Sequence, residues 1–231
     1  MHWTAFLPAR HCFILAGLCL TGLASRLPAQ VGHDPATSPY RDIRRSAFLV
    51  VSGGKFFGSG GAIGVAPHQG NVVGLRFSFL ANRTIQLNAG GFYGMLERDV
   101  YDPTQPAGSR ISGPIDNTVV WVEGGLQFNL TGGKSWNRFA PFAGASAGLA
   151  FSESLSDDPA FFKMGTKFVF APVIGTRFFL SDRLALQLES RFNFWQIKYP
   201  GAFAQEGIQS SEWSVSPWVN LGLAWAISWP F

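Results

Sequence analysis

VSPWVNLGLAWAISWPF, residues 215–231, alternates almost without error. Reading back in twos gives Phe231, Trp229, Ile227, Trp225, Leu223, Leu221 and Val219. Between them lie Pro230, Ser228, Ala226, Ala224, Gly222 and Asn220. The first set is large and apolar, the second small or polar. Side chains change faces at every residue only in a strand, whereas 3.6 residues per turn would scatter both sets around a helix. The stretch reads as a β-strand whose greasy face runs on to Phe231.

Working backwards from it, the same reading finds seven more segments, at about 46–57, 70–81, 84–97, 117–130, 139–152, 164–180 and 184–198. Each has roughly the length a tilted strand needs to cross a bilayer. Their faces separate. Val120, Val122, Leu126, Phe128 and Leu130 oppose Trp121, Glu123, Gln127 and Asn129. Leu184, Leu186, Leu188, Phe192 and Phe194 oppose Gln187, Glu189, Arg191, Asn193 and Trp195. Val73, Leu75, Phe77 and Phe79 oppose Arg76 and Ser78; Phe168, Phe170, Ile174 and Phe178 oppose Lys167 and Arg177. Only Ala47–Val51 is blurred. Pro172 falls inside a segment, where a ladder hydrogen bond is lost, and suggests a bulge.

The first 29 residues read as a secretory signal. Arg10 and His11 precede an apolar core, CFILAGLCLTGLA at 12–24, too short for a membrane anchor, and Leu27-Pro28-Ala29 offers a cleavage site. Both cysteines, Cys12 and Cys19, lie within it, so the expected mature chain has no disulfide and no thiol site. Losing Arg10 and Arg26 takes the 18 basic residues to 16, against 14 acidic. That near-neutral balance has no basic stripe and excludes nucleic acid as a partner. Residues 30–45 read as a loose polar lead-in. About 200 remaining residues suit one domain, here 46–231. High apolar content without any apolar run of helix length points to a closed barrel, the other structure that satisfies every backbone group in lipid.

The connections alternate. Those at 58–69, 98–116, 153–163 and 199–214 are long. Asn82-Arg83, Thr131 to Arg138 and Ser181-Asp182-Arg183 are short. Long loops on one side, short turns on the other and an even strand count are the pattern of outer-membrane barrels. A soluble barrel would bury the apolar face instead. Here the charges share a face with glycines and amides, and the opposite face is rich in Phe and Trp. With its signal segment, eight alternating strands and terminal Trp229-Pro230-Phe231, the chain from about residue 46 resembles the small outer-membrane proteins of the OmpA-domain and OmpX type. The resemblance implies an all-β, eight-stranded antiparallel up-and-down transmembrane β-barrel in the outer membrane. It implies Phe231 and Trp229 as the signal read by the barrel-insertion machinery, with outer-membrane lipid as surroundings. Such proteins act as membrane-stabilising, adhesive or narrow-pore proteins.

The expected site is a lumen network of Arg76, Glu123, Arg177, Glu189 and Arg191. Eight strands leave an interior that side chains can fill, and charges confined there must pair or stay wet. A tight turn at Ser181–Arg183 sets Arg177 opposite Gln187 and puts Glu189 on the diagonal, within reach of Arg177. Trp213, Trp218, Tyr199 and Trp195 read as one aromatic girdle; Trp136, Trp229 and Phe231 read as the other. Strand glycines (Gly90, Gly91, Gly124, Gly125, Gly144, Gly148) relieve crowding where strands curve. The first-loop glycines (Gly58, Gly60, Gly61, Gly64) lack the spacing of a phosphate cradle. Catalysis would need a nucleophile and base, and the chain offers only His33 and His68 outside the signal, with Ser59 as a possible partner of His68. Acid pairs that could imitate a rim protease are Asp99 with Asp102 and Asp157 with Asp158. No cofactor or metal site is expected, nor more than a monomer. The favoured role is a non-enzymatic barrel with a plugged polar lumen and surface loops for structural or binding roles. A narrow passive pore and a lipid-modifying barrel enzyme are the alternatives.

Overall fold

The structure, a computed structural model, describes residues 37–43, 47–152, 162–201, 203 and 207–227. The chain divides into two units, Met1–Ser38 and Pro39–Phe231, and all ten strands belong to the second. They are β1 (Tyr40–Asp42), β2 (Ala47–Phe57), β3 (Gln69–Leu80), β4 (Ile85–Tyr101), β5 (Ile111–Asn129), β6 (Lys134–Trp136), β7 (Phe139–Ser152), β8 (Thr166–Phe179), β9 (Leu184–Lys198) and β10 (Ser211–Ile227). Eight of them close a ring in the order β7-β5-β4-β3-β2-β10-β9-β8, with β8 returning to β7. Every pairing is antiparallel, and β10 closes on β2 from Trp218↔Phe56 to Ile227↔Ala47.

The registers fix the stagger. Stepping from Trp218 through Phe56, Gly70 and Leu96 reaches Asn117 on β5. Stepping the other way, through Arg191, Val173 and Gly144, reaches Gln127 on the same strand. The two arrivals are ten residues apart, which is the shear of the barrel. Eight strands with such a shear tilt by roughly 40° and enclose a space that side chains fill. The expected faces hold. Val73, Leu75, Val122, Leu126, Phe128, Phe168, Ile174, Leu188, Leu221 and Leu223 are exposed on the outer wall, while Arg76, Gln127, Arg177, Gln187, Glu189 and Arg191 are buried inside.

Three local expectations change. The connection read as a loop over 98–116 is mostly strand. β4 and β5 continue as a two-stranded ribbon past the other strands, with one register shift between Arg98 and Val100. Its tip is held by Asp102, which accepts from Thr104 N at 2.9 Å and from Thr104 Oγ1 at 2.6 Å. Pro172 makes no bulge. It stays in register with Ala145 on β7, and the β9 ladder omits positions 171 and 172 between Phe170↔Phe194 and Val173↔Arg191 without a shift. The missing N–H therefore faces β9, and the sheet gives up those two positions of the ladder rather than bending.

The lead-in also carries structure. β1 pairs with β6 through Tyr40↔Trp136, Arg41↔Ser135 and Asp42↔Lys134. β6 precedes β7, and β7 lies four strands from β2 in either direction around the ring. The strap, residues 40–43, is thus fastened on the wall opposite β2, at the turn end of the barrel. Ile43 N donates to Gly133 O at 2.8 Å, and the Ile43 side chain packs against an apolar cluster of Phe48, Val50, Ala185, Ala224 and Ala226.

Candidate functional site

The lumen is filled in layers, and strand parity decides what each layer contains. Above the turn-end cluster sits Arg177, from β8. Its guanidinium donates to Gln187 Oε1 at 2.8 Å, Gln86 Oε1 at 2.8 Å and Gln127 Oε1 at 3.2 Å. It also lies 5.1 Å from the ring centres of both Phe48 and Phe142. The expected register is present, since Arg177 faces Gln187 across β8 and β9. The expected partner is not. Glu189 bonds to Arg76 instead, from the far wall, and Arg177 is held by three neutral amides.

The next layer is a closed square of charges. Arg76 Nη1 donates to Glu189 Oε2 at 2.5 Å and Arg76 Nη2 to Glu189 Oε1 at 2.8 Å, a bidentate pair. Arg76 also lies 3.6 Å from Glu123, Arg191 bonds to Glu123, and Arg191 lies 3.9 Å from Glu189. Ser146 Oγ accepts from Arg191 at 2.8 Å and donates to Glu123 at 3.2 Å, while Gln187 Nε2 donates to Glu189 at 3.0 Å. Alternating signs around the square let each charge meet two of opposite sign, which offsets the cost of burying all four. Beside Glu189 a cavity of about 10 Å³, lined by Val50, Ser52, Arg76, Gln187, Asn220 and Gly222, has room for about one water.

Over the square lies an aromatic layer. The Arg191 guanidinium lies 5.1 Å from the ring centre of Phe92 and 4.8 Å from that of Trp218. Phe92 and Trp218 meet edge to face at 4.9 Å, Trp121 and Trp195 stack at 6.2 Å, and Phe56 touches both of those indoles. Each such pair contributes about 0.5–1.5 kcal/mol beyond burial. Inward glycines make the room: a Cβ on Gly74 would overlap the Phe92 ring, and one on Gly94 would lie 2.6 Å from the Trp121 ring. This layer corrects two expectations. The lumen's charge network is confined to its turn-side half, and aromatic rings fill the space above it. Of the expected girdle, Trp195, Trp218 and Tyr199 are buried in the core, and only Trp213, 65% exposed, faces outward. The signal was available, because Trp195 shares parity with Arg191, and Trp218 with Asn220.

The loop end is capped by side chains from outside the strands. Val65 and Ala66 from the first loop, Phe162 and Met164 ahead of β8, and Tyr199 and Phe203 after β9 all join the aromatic cluster. Tyr199 Oη donates to Glu212 Oε1 at 2.5 Å, and burial together with that bond pushes the phenol above its ordinary pKa. It therefore remains a donor throughout the neutral range.

The catalytic expectations do not assemble. Ser59 Oγ bonds to Ser214 Oγ at 3.0 Å, while His68 Nε2 has no hydrogen-bond partner and lies 3.7 Å from Asp99. Asp102 is occupied by its own turn. Burying nothing, its carboxyl lies below the ordinary range because of the bonds from Thr104. Among the described residues no group of three or more His, Cys, Asp or Glu could hold a metal. Trp136 is exposed. His33, Asp157, Asp158, Trp229 and Phe231, with the signal segment 1–29, lie outside the described residues.

No known protein-family model matches the chain, and no curated protein matches it. Solved structures do. The outer membrane protein OprG from Pseudomonas aeruginosa is 13% identical, with a TM-score of 0.53 over 83% of this chain and 100% of OprG. Neisserial surface protein A is 11% identical, with a TM-score of 0.51 over 82% of this chain and 98% of its own. At these identities the likeness concerns the fold: a closed, eight-stranded antiparallel barrel of the outer-membrane type.

Proposed function

We propose that this protein spans the outer membrane as a closed, non-enzymatic barrel whose work is done at its loop end, in structural or binding contacts outside the cell. The observation that carries this reading is the filled lumen. A turn-end strap, the Arg177 clasp, the ion square and the aromatic layer succeed one another along the barrel. Phe56, Trp121, Trp195 and Trp218 are at most 2% exposed. Membrane residence is supported by the outer wall, whose exposed Leu, Val, Ile and Phe suit hydrocarbon, and by a closed ladder that leaves no free edge there. Export by residues 1–29 and insertion read from Trp229 and Phe231 belong to the same reading.

Liposome swelling tests it. Proteoliposomes should take up a small sugar no faster than empty vesicles, and swelling at the rate of a known porin would overturn the reading. The narrow pore has one observation in its favour, the ion square with its small adjoining cavity, which would become an ion path if the aromatic layer moved. The acyl-transferring alternative would require Ser59 to be activated by His68, and Ser59 is bonded to Ser214 instead. A lipid A mass spectrum unchanged by expression of the protein is the expected result.

A further inference from the structure

We propose that the first loop, residues 58–68, is a latched lid over the loop end of the lumen, and that the Glu212 carboxylate is its latch. The barrel seam shows why a latch is needed. The β2–β10 ladder stops at Trp218↔Phe56, one residue below Pro217, which has no N–H to donate. Beyond that point Ser211–Ser216 pair with β9 alone. The first loop closes this gap with side chains. Ser59 bonds to Ser214 at 3.0 Å, and Ala62 N donates to Glu212 Oε1 at 2.8 Å and to Tyr199 Oη at 3.0 Å. Tyr199, bonded to the same Glu212 oxygen, completes the clasp.

The other side of the loop is fastened differently. Gly58 N donates to His68 O, His68 N to Glu97 O at 3.0 Å, and Asp99 N to Gly64 O at 2.8 Å. These are backbone bonds to β4 and across the loop's own root. One side is therefore a hinge of main-chain bonds, and the other a catch of exchangeable side-chain bonds. Gly61, at φ +76°, lies directly against the catch: a Cβ there would strike Tyr199 Oη and Glu212 Oε1 and come within 3.1 Å of Ile197 Cδ1. Beneath it the floor is apolar, formed by Ile197 with Phe56 and Trp195 of the same cluster. An open lid would thus admit small apolar solutes in preference to charged ones.

The test places a reporter under the lid. In a chain with Cys12 and Cys19 replaced by Ser, Ile197→Cys should react slowly with N-ethylmaleimide. Adding Glu212→Ala, which removes both bonds to the carboxylate, should speed labelling by about tenfold or more. Gly61→Ala, which wedges the catch, should do the same. Glu212→Gln keeps an oxygen acceptor and should stay within about threefold of the parent. A sulfonated maleimide should gain less than N-ethylmaleimide. Each variant is first checked for the compact electrophoretic form of a folded barrel. Hydrogen exchange at Ala62 N–H repeats the comparison without the cysteine, being protected in the parent and fast in Glu212→Ala. Labelling and exchange unchanged by Glu212→Ala and Gly61→Ala would overturn the latch. So would a parent that labels as fast as a cysteine at Gly108, on the open ribbon tip. The inference goes beyond the closed-lumen reading and fails separately from it: swelling of liposomes by the parent protein bears on the lumen, labelling of the variants on the latch.

Discussion

Replacing Glu189 by Gln removes one charge from a square that needs all four. The two polar layers hold Arg76, Arg177 and Arg191 against Glu123 and Glu189, an excess of one positive charge within them. Glu189→Gln leaves three cations facing Glu123 alone. Arg76 loses its bidentate ion pair at 2.5 and 2.8 Å and keeps one carboxylate, Glu123, at 3.6 Å. The bond from Gln187 can persist, because an amide oxygen still accepts. Stranding a buried cation by deleting its partner costs about 3–5 kcal/mol. Urea unfolding of the barrel in detergent, followed by its shift in electrophoretic mobility, would measure the loss. Adding Arg76→Met removes the stranded cation and should recover a large part of it, a coupling that a double-mutant cycle isolates. If Glu189→Gln unfolds within about 0.5 kcal/mol of the parent, or if the two substitutions simply add, the square is solvated rather than sealed. The lumen would then be plugged by its aromatic layer alone.

Gly74→Ala should destabilise the barrel by about 1–3 kcal/mol, because the added methyl displaces Phe92. Gly124→Ala, whose nearest non-neighbour atom is 3.7 Å away, should stay within about 0.5 kcal/mol; the same urea assay compares them. Trp218→Ala should cost about 3–5 kcal/mol and free Arg191 from one of its two aromatic neighbours, with the loss again read in urea. The ribbon tip should depend on pH. The Asp102 carboxyl titrates below its ordinary value, so the Thr104 bonds are fully present above the unfolded pKa and are lost as pH falls through the folded one. Exchange at Thr104 N–H, corrected for the intrinsic pH dependence, should rise in that acid range and stay level from there to neutrality.

The fold was legible where alternation is clean. β7 and β9 lie at 139–152 and 184–198, as their periodicity indicates. The outward ends of β4 and β5 were not: Asp99, Gly113 and Pro114 read as loop residues, yet they form only the irregularity between Arg98↔Ile115 and Val100↔Ser112, and the two strands pair on either side of it. β1 and β6, at three residues each, are too short to show any period. Within the site, parity identified which charged side chains enter the lumen. It could not identify their partners. Arg76 and Glu189 stand on β3 and β9, three steps apart around the ring, and which inward residues meet across the lumen follows from the shear rather than from any one strand. The burial of Trp195 and Trp218 was legible by the same parity. A preference for Trp at membrane interfaces pointed the other way, and packing against Phe56, Phe92 and Trp121 prevailed.

The strap, the charged layers and the aromatic layer together make a barrel sealed along its length. Planar-bilayer recording of the purified protein tests it most directly. A sealed barrel passes a current no different from that of the bare membrane, with no steady unitary steps at moderate voltage. Reproducible steps of fixed size from the parent protein would contradict it.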